Sequence, residues 1–203
     1  MTYEILTALL LFAFVSSITP GPNNLMLMAS GANFGFTRTI PHMLGVGIGF
    51  VVMVALVGIG LMQVFDRYPI AHTVLAVASV TYLLWLAWKV ANAGAPDEGE
   101  GTGGTPMTFL QAAGFQWVNP KAWTMALTAV TLYAPDRSLT AVLLVSAAFG
   151  AVNLPCVSSW TVLGQQMRRW LTSPARLTAF NWTMAGLLVL SLYPVVAPMV
   201  SVG

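Results

Sequence analysis

Two stretches of this chain place polar and helix-breaking residues where the surrounding sequence is apolar. The first is Ser16-Ser17-Ile18-Thr19-Pro20-Gly21-Pro22-Asn23-Asn24, inside a run from Ile5 to Met28 without a charged residue. The second is Gln116-Trp117-Val118-Asn119-Pro120-Lys121-Ala122-Trp123. Proline removes a backbone donor and clashes with the preceding turn, so a helix entering either stretch ends or kinks there. The same proline suits the first turn of a new helix, with Thr19 or Asn119 available as N-cap. Each break would expose the N-terminus of a half-helix, whose unpaired N–H groups and dipole attract a carboxylate. Gly21 lets the backbone approach a ligand or another helix, and Asn23 and Asn24 offer donors and acceptors to a zwitterion. Lys121 could bind a carboxylate, or release a proton during a cycle, because desolvation disfavours the charged amine. The bland alternatives are a proline kink that only packs helices, and a shallow re-entrant segment from which Lys121 snorkels to an interface.

The elements that must hold these residues are membrane spans. Of the 203 residues, 57% are hydrophobic and 7% charged, with a mean hydropathy of +0.79. A soluble domain carries roughly 25% charged residues, so this chain cannot build a water-facing surface. The net charge of +2 is too small and too scattered for nucleic acid. Runs of roughly 20 apolar residues, the length that crosses a bilayer, lie at 4–29, 41–64, 69–91, 109–133, 139–163 and 177–200. The first is expected to be a retained helix: Met1-Thr2-Tyr3-Glu4 is no basic leader, and no small-residue cleavage site follows. Broken backbone within such spans is tolerated only against protein or a water-filled cavity. Lys121 lies about 18 Å along a helix from Phe109, near mid-membrane if Phe109 begins the span. A lysine there is costly and should face a cavity.

The chain reads as an all-α integral membrane protein of one transmembrane domain, 1–203, with six helices in two three-helix inverted repeats. Half one is about 1–91, a flexible cytoplasmic linker rich in Gly and acid covers about 92–106, and half two is about 107–203. Helices 1 and 4 are the broken ones. Arg38 and Gly49 in half one have counterparts in Arg137 and Gly150 of half two. Paired broken helices related by inversion are a transporter architecture. Arg38, Lys89, Arg168, Arg169 and Arg176 fall in the links after spans one, three and five, whereas Arg67 and Arg137 sit opposite beside Asp66 and Asp136. The positive-inside rule then puts both termini outside.

Other polar positions are ambiguous. Asn153-Leu154-Pro155-Cys156 forms a third polar break, open between kink and site. Asn181 reads as an interface residue rather than a gate, and His42 as interfacial rather than a proton sensor. Trp117 and Trp123 could line a cavity or simply pack. Gly45, Gly47 and Gly49 lack a preceding strand and read as close helix packing rather than nucleotide binding. Cys156, the lone cysteine, reads as a packing residue. No Asp or Glu lies deep in a span, and no metal-spaced cluster, carboxylate pair or Ser/His/Asp set is present. Proton coupling would have to use Lys121, His42, Glu4 or the substrate's own groups. A lipid-acting membrane enzyme would need a catalytic set at one interface. A purely structural protein has no use for Lys121 or two opposed breaks, and a channel would lack exchange acceleration.

The motif Thr19-Pro20-Gly21-Pro22-Asn23, with Gly31, Gly35-Phe36 and Gly45, Gly47 and Gly49, resembles the LysE/RhtB family of amino-acid exporters. Tyr82–Lys89, Phe115–Trp123 and Leu154-Pro155-Cys156 are similar as well, so the likeness covers nearly the whole chain. The Asn-Asn and Asn-Pro-Lys forms look closest to the branch that includes cysteine/O-acetylserine exporters. The resemblance implies a multi-pass inner-membrane secondary transporter, no cofactor, an amino acid or small derivative as substrate, drive from the proton motive force, and a homodimer. With the residue reading, it points to Thr19, Pro20, Gly21, Pro22, Asn23, Asn24, Gln116, Asn119, Pro120, Lys121 and Asn153 as substrate-binding residues, with alternating access between the halves.

Overall fold

The computed structural model describes residues 2–61, 63, 67, 68, 70–93 and 105–200, and no strand occurs among them. Helix α1 (Tyr3–Ile18) begins where the Thr2 hydroxyl accepts from the Ile5 N–H at 3.3 Å, with Glu4 in the first turn. It stops because the residue before a proline is steered away from helical angles, and Thr19 is extended at φ −64°, ψ 144°. Helix α2 (Pro22–Phe34) restarts with Pro22 in its first turn, bent 54° from α1. Gly35, at φ 80°, ends α2 in a conformation that favours a residue without Cβ.

Helix α3 (Phe36–Leu56) follows and runs into a π-helical turn, Val57–Leu61. Helix α4 spans Ile70–Ala91. Helix α5 (Phe109–Phe115) opens with a capping box between Thr108 and Gln111 and passes into a 3₁₀ turn, Gln116–Val118. After Asn119 come α6 (Pro120–Tyr133), α7 (Leu139–Met167), α8 (Pro174–Leu190) and α9 (Tyr193–Val200).

Among the described residues, three helices are long and apolar enough to cross a bilayer: Phe36–Leu61, Ile70–Ala91 and Leu139–Met167. The bent pair α1–α2 would make a fourth. The expected fourth and sixth spans occur as shorter pieces, α5 with α6 and α8 with α9. The outer surface carries large apolar side chains such as Leu11, Ile48, Val74, Leu144 and Leu163, all exposed. Such a surface suits hydrocarbon rather than water. Most of the expected linker, residues 94–104, lies outside the described residues.

Helix α7 is the hub: it packs on α1, α2 and α3, while α3 packs on α5 and α6, and α4 on α8. Glycines permit the tightest crossings. A Cβ on Gly31 would overlap the Thr161 carbonyl of α7, and one on Gly164 would overlap the Met28 carbonyl of α2. Gly45 and Gly49 lie equally close to the Phe109 carbonyl and the Ala113 backbone of α5, and Gly47 faces Leu154. The reading of these glycines as close packing therefore holds. One core gathers Leu9, Phe50, Met53, Ala126 and Phe149, and a second gathers Leu25, Leu83, Phe115, Phe180 and Leu188.

Candidate functional site

A helix that ends inside a protein leaves its last carbonyls without intrahelical donors. At the end of α1 they are met by side chains from three other helices. Asn24 of α2 donates its amide to the Ser17 and Thr19 carbonyls at 2.8 and 2.7 Å. Trp160 of α7 donates its indole N–H to the Ile18 carbonyl at 3.0 Å. The Lys121 ammonium donates to the Thr19 carbonyl at 2.7 Å, the Thr19 hydroxyl at 3.0 Å and the Pro20 carbonyl at 3.3 Å. A cation at a helix C-terminus is also favoured by the dipole. Lys121 is half-buried and ties α6 to the break.

The second break is capped within itself. Asn119 is the N-cap of α6, as expected, and its side-chain oxygen accepts from the Lys121 backbone N–H at 3.2 Å. The two breaks meet a second time through a reciprocal amide pair. Asn23 donates to Gln116 at 2.8 Å and Gln116 donates back at 3.1 Å. Gln116 is fully buried and also donates to the Ala112 carbonyl. Gly21 proves to be a seat for Lys121: a Cβ there would stand 2.6 Å from the lysine Cδ.

Between these groups lies a cavity of about 20 Å³, room for about one water. Gly21, Asn23, Asn24, Asn119, Lys121 and Asn153 from the sequence-based set line it, together with Ser16, Ser17 and Phe50. Asn153 donates to the Ser17 hydroxyl at 3.0 Å, and its own side-chain oxygen is buried without a partner. Thr19, Pro20, Pro22, Gln116 and Pro120 do not line this cavity; Thr19 and Pro20 bind Lys121 and Gln116 binds Asn23.

Several expectations need correction. Thr19 is the C-cap of α1 and not the N-cap of α2; that place is taken by Gly21, which offers no side-chain bond. Asn153–Cys156 is no break, because α7 continues through Pro155. His42 is not interfacial; it is 1% exposed and neither ring nitrogen has a partner. Asn181 is likewise fully buried, pairing with Asn33 at 2.9 and 3.3 Å and donating to the Ala93 carbonyl at 2.6 Å. Trp117 and Trp123 line neither this cavity nor the wider one below; they meet edge to face, and the Trp123 indole donates to the Trp117 carbonyl. Cys156 needs no correction: it is buried in the core with a free thiol, in keeping with a packing residue. Trp160 is missed by the sequence reading, since a Trp in an apolar helix reads as packing; Ser17 falls within the first polar stretch but is not among the expected binding residues.

A wider cavity of about 390 Å³ lies between α2, the start of α3, the end of α4 and residues 105–107. It is walled mainly by apolar side chains, with His42 among them.

Residues 14–192 match the family described as LysE type translocator. The chain belongs to this family. Cysteine/O-acetylserine efflux proteins are among the relatives of this translocator. The one from Klebsiella pneumoniae subsp. pneumoniae is 29% identical over 198 residues, covering 93% of this chain and 95% of the relative. The one from Escherichia coli K12 is 29% identical over 193 residues, covering 93% and 96%. No solved structure matches the translocator. Its family is one of transporters and not of enzymes.

Proposed function

We propose that this translocator exports amino acids or small amino-acid derivatives from the cytoplasm, binding them at the α1–α2 break. The observation that carries this reading is the Lys121 ammonium on the Thr19 and Pro20 carbonyls, at a cavity lined by residues from before and after the 92–106 segment. A substrate carboxylate is a stronger partner for an ammonium than a neutral carbonyl, so it can take Lys121 from the break. The unpartnered side-chain oxygen of Asn153 accepts from the substrate's ammonium group, and the two contacts together select a zwitterion. The relatives' cysteine/O-acetylserine efflux supports substrates of this size.

At about 20 Å³ the cavity is closed to any amino acid. Loading therefore requires the elements around it to part, which in this reading is alternating access. The moving bodies are two three-helix inverted repeats, α1–α4 and α5–α9, in six spans. The packing supports an exchange symmetry: α7 lies on the α1–α2 break, α3 lies on the α5–α6 break, and α4 pairs with α8. Both termini lie outside the inner membrane, the proton motive force drives export, and two copies form a dimer. Thr19, Pro20, Gly21, Pro22, Asn23, Asn24, Gln116, Asn119 and Pro120 shape the site around Lys121 and Asn153.

The test is a comparison of the growth medium of cells with and without the protein across a broad amino-acid panel. At least one amino acid or derivative accumulates outside only when the protein is present. Identical media across the panel defeat the proposal. Counterflow in proteoliposomes then separates carrier from channel, since only a carrier shows exchange acceleration.

A further inference from the structure

The cavity of about 390 Å³ has no part in the reading above, although its size is that of a small-molecule site. Its floor is buried and includes Met26, Ala29, His42 and Leu86; its rim carries the exposed Trp88 and Lys89. His42 is 1% exposed, and neither ring nitrogen has a hydrogen-bond partner. Buried polar groups are nearly always paired, and each exception calls for an explanation. The other polar side chains of the floor are occupied: Ser30 bonds Thr39, and Asn33 bonds the Ala29 carbonyl and Asn181. His42 is therefore the floor group with capacity left for a ligand. A neutral imidazole offers one donor and one acceptor.

The two cavities share one helix face. Asn23, which lines the small cavity, and Met26, Ser30 and Asn33, which line the wide one, follow at spacings of three and four along α2. They extend over about 15 Å. The Asn23–Gln116 amide pair stands at the small-cavity end of that face.

We infer that the wide cavity is a loading site, separate from the break, where an amino acid binds before it passes the Asn23–Gln116 pair. Lys89 at the rim receives the carboxylate, Met26, Ala29 and Leu86 contact an apolar stem, and His42 meets a hydrogen-bonding atom near the end of the side chain. The substrate class is thus an amino acid whose side chain carries an ester, ether, hydroxyl or amide beyond its first carbons. The inference rests on the exporter reading, but its test is binding and not transport. A fatty acid shares the carboxylate and apolar stem and lacks the terminal polar atom, so it serves as the contrasting ligand.

The experiment is equilibrium binding to the full-length protein in lipid nanodiscs, in a Lys121→Met background that disables the break. O-acetylserine binds, and binds at least about tenfold tighter than norleucine or decanoate, the scale of one buried hydrogen bond. Adding His42→Phe removes that preference. Adding Lys89→Gln, a change at an exposed side chain whose only described contact is the Trp85 ring at 4.8 Å, weakens all three ligands. The inference is overturned if O-acetylserine does not bind the background, if decanoate or norleucine binds as tightly, or if both added changes leave binding unaltered. Failure of the exporter reading shows separately, as identical growth media with and without the unmutated protein.

Discussion

At Lys121 the ammonium faces two backbone carbonyls and a hydroxyl of a segment about a hundred positions earlier in the chain. Removing it leaves the Pro20 carbonyl without this donor and the Thr19 carbonyl with the Asn24 amide alone. Lys121→Met should abolish export while the protein still inserts and elutes as a single species. Export at the parental rate would remove the lysine from the mechanism. Gly21→Ala acts on the same atom from the other side. The new Cβ falls 2.6 Å from the lysine Cδ, so the flexible side chain must shift off the Thr19 and Pro20 carbonyls. Export by Gly21→Ala should fall below the parent yet exceed that of Lys121→Met; a parental rate would mean the lysine's seat is irrelevant. Asn153→Leu removes the unpartnered acceptor in the cavity. It should raise the internal concentration needed for half-maximal export about tenfold, on the scale of a bond to a charged group. An unchanged concentration dependence would exclude Asn153 from substrate contact.

At the scale of the helix, the break was legible because proline acts on its immediate neighbours. Thr19-Pro20 and Asn119-Pro120 mark the ends and restarts within a few residues. The supply of donors to the freed carbonyls was not legible. Trp160 reaches Ile18 across 142 positions, and only the crossing of α7 over α1 brings them together. The same limit hid the burial of His42, whose place in the sequence looks like a helix entrance. Pro20→Ala with Pro22→Ala should straighten the α1–α2 junction and impair transport, because the carbonyls that hold Lys121 would turn back into a helix. Parental export by that double variant would mean the 54° bend is incidental. The glycine crossings invite a stability measurement. At Gly164 a Cβ would overlap the Met28 carbonyl, a backbone atom that cannot swing aside. Gly164→Val should lower the thermal unfolding midpoint in detergent, by overpacking of about 1–3 kcal/mol or more. An unchanged midpoint would show that α2 and α7 separate without cost.

For the whole molecule, the proposed exchange of halves takes its support from the packing. Each broken helix is covered by the long helix of the other half, α7 over α1–α2 and α3 over α5–α6. The contacts also run antiparallel: Lys121 meets Thr19 while Tyr133, at the far end of α6, donates to the Ala8 carbonyl. Cations cluster toward one end of this arrangement. Phe36 bonds Gln165 there, bringing the start of α3 with Arg38 beside the end of α7 with Arg168 and Arg169, and Asn181 bonds Ala93, bringing α8 to the end of α4 with Lys89. If six spans cross the bilayer with that end in the cytoplasm, the chain ends and the α6–α7 link must share the outer side. The buried Cys156 permits a clean labelling test in a Cys156→Ala background. Single cysteines replace the exposed Thr2, Asp136 and Thr172. An impermeant maleimide added to intact spheroplasts should label the first two and reach position 172 only after permeabilisation. Labelling of Thr2→Cys and Thr172→Cys from the same side would leave the two ends of α7 and α1 incompatible with six spans. The inverted repeat would then lose its physical basis, because an odd number of crossings per half is what turns the second half upside down.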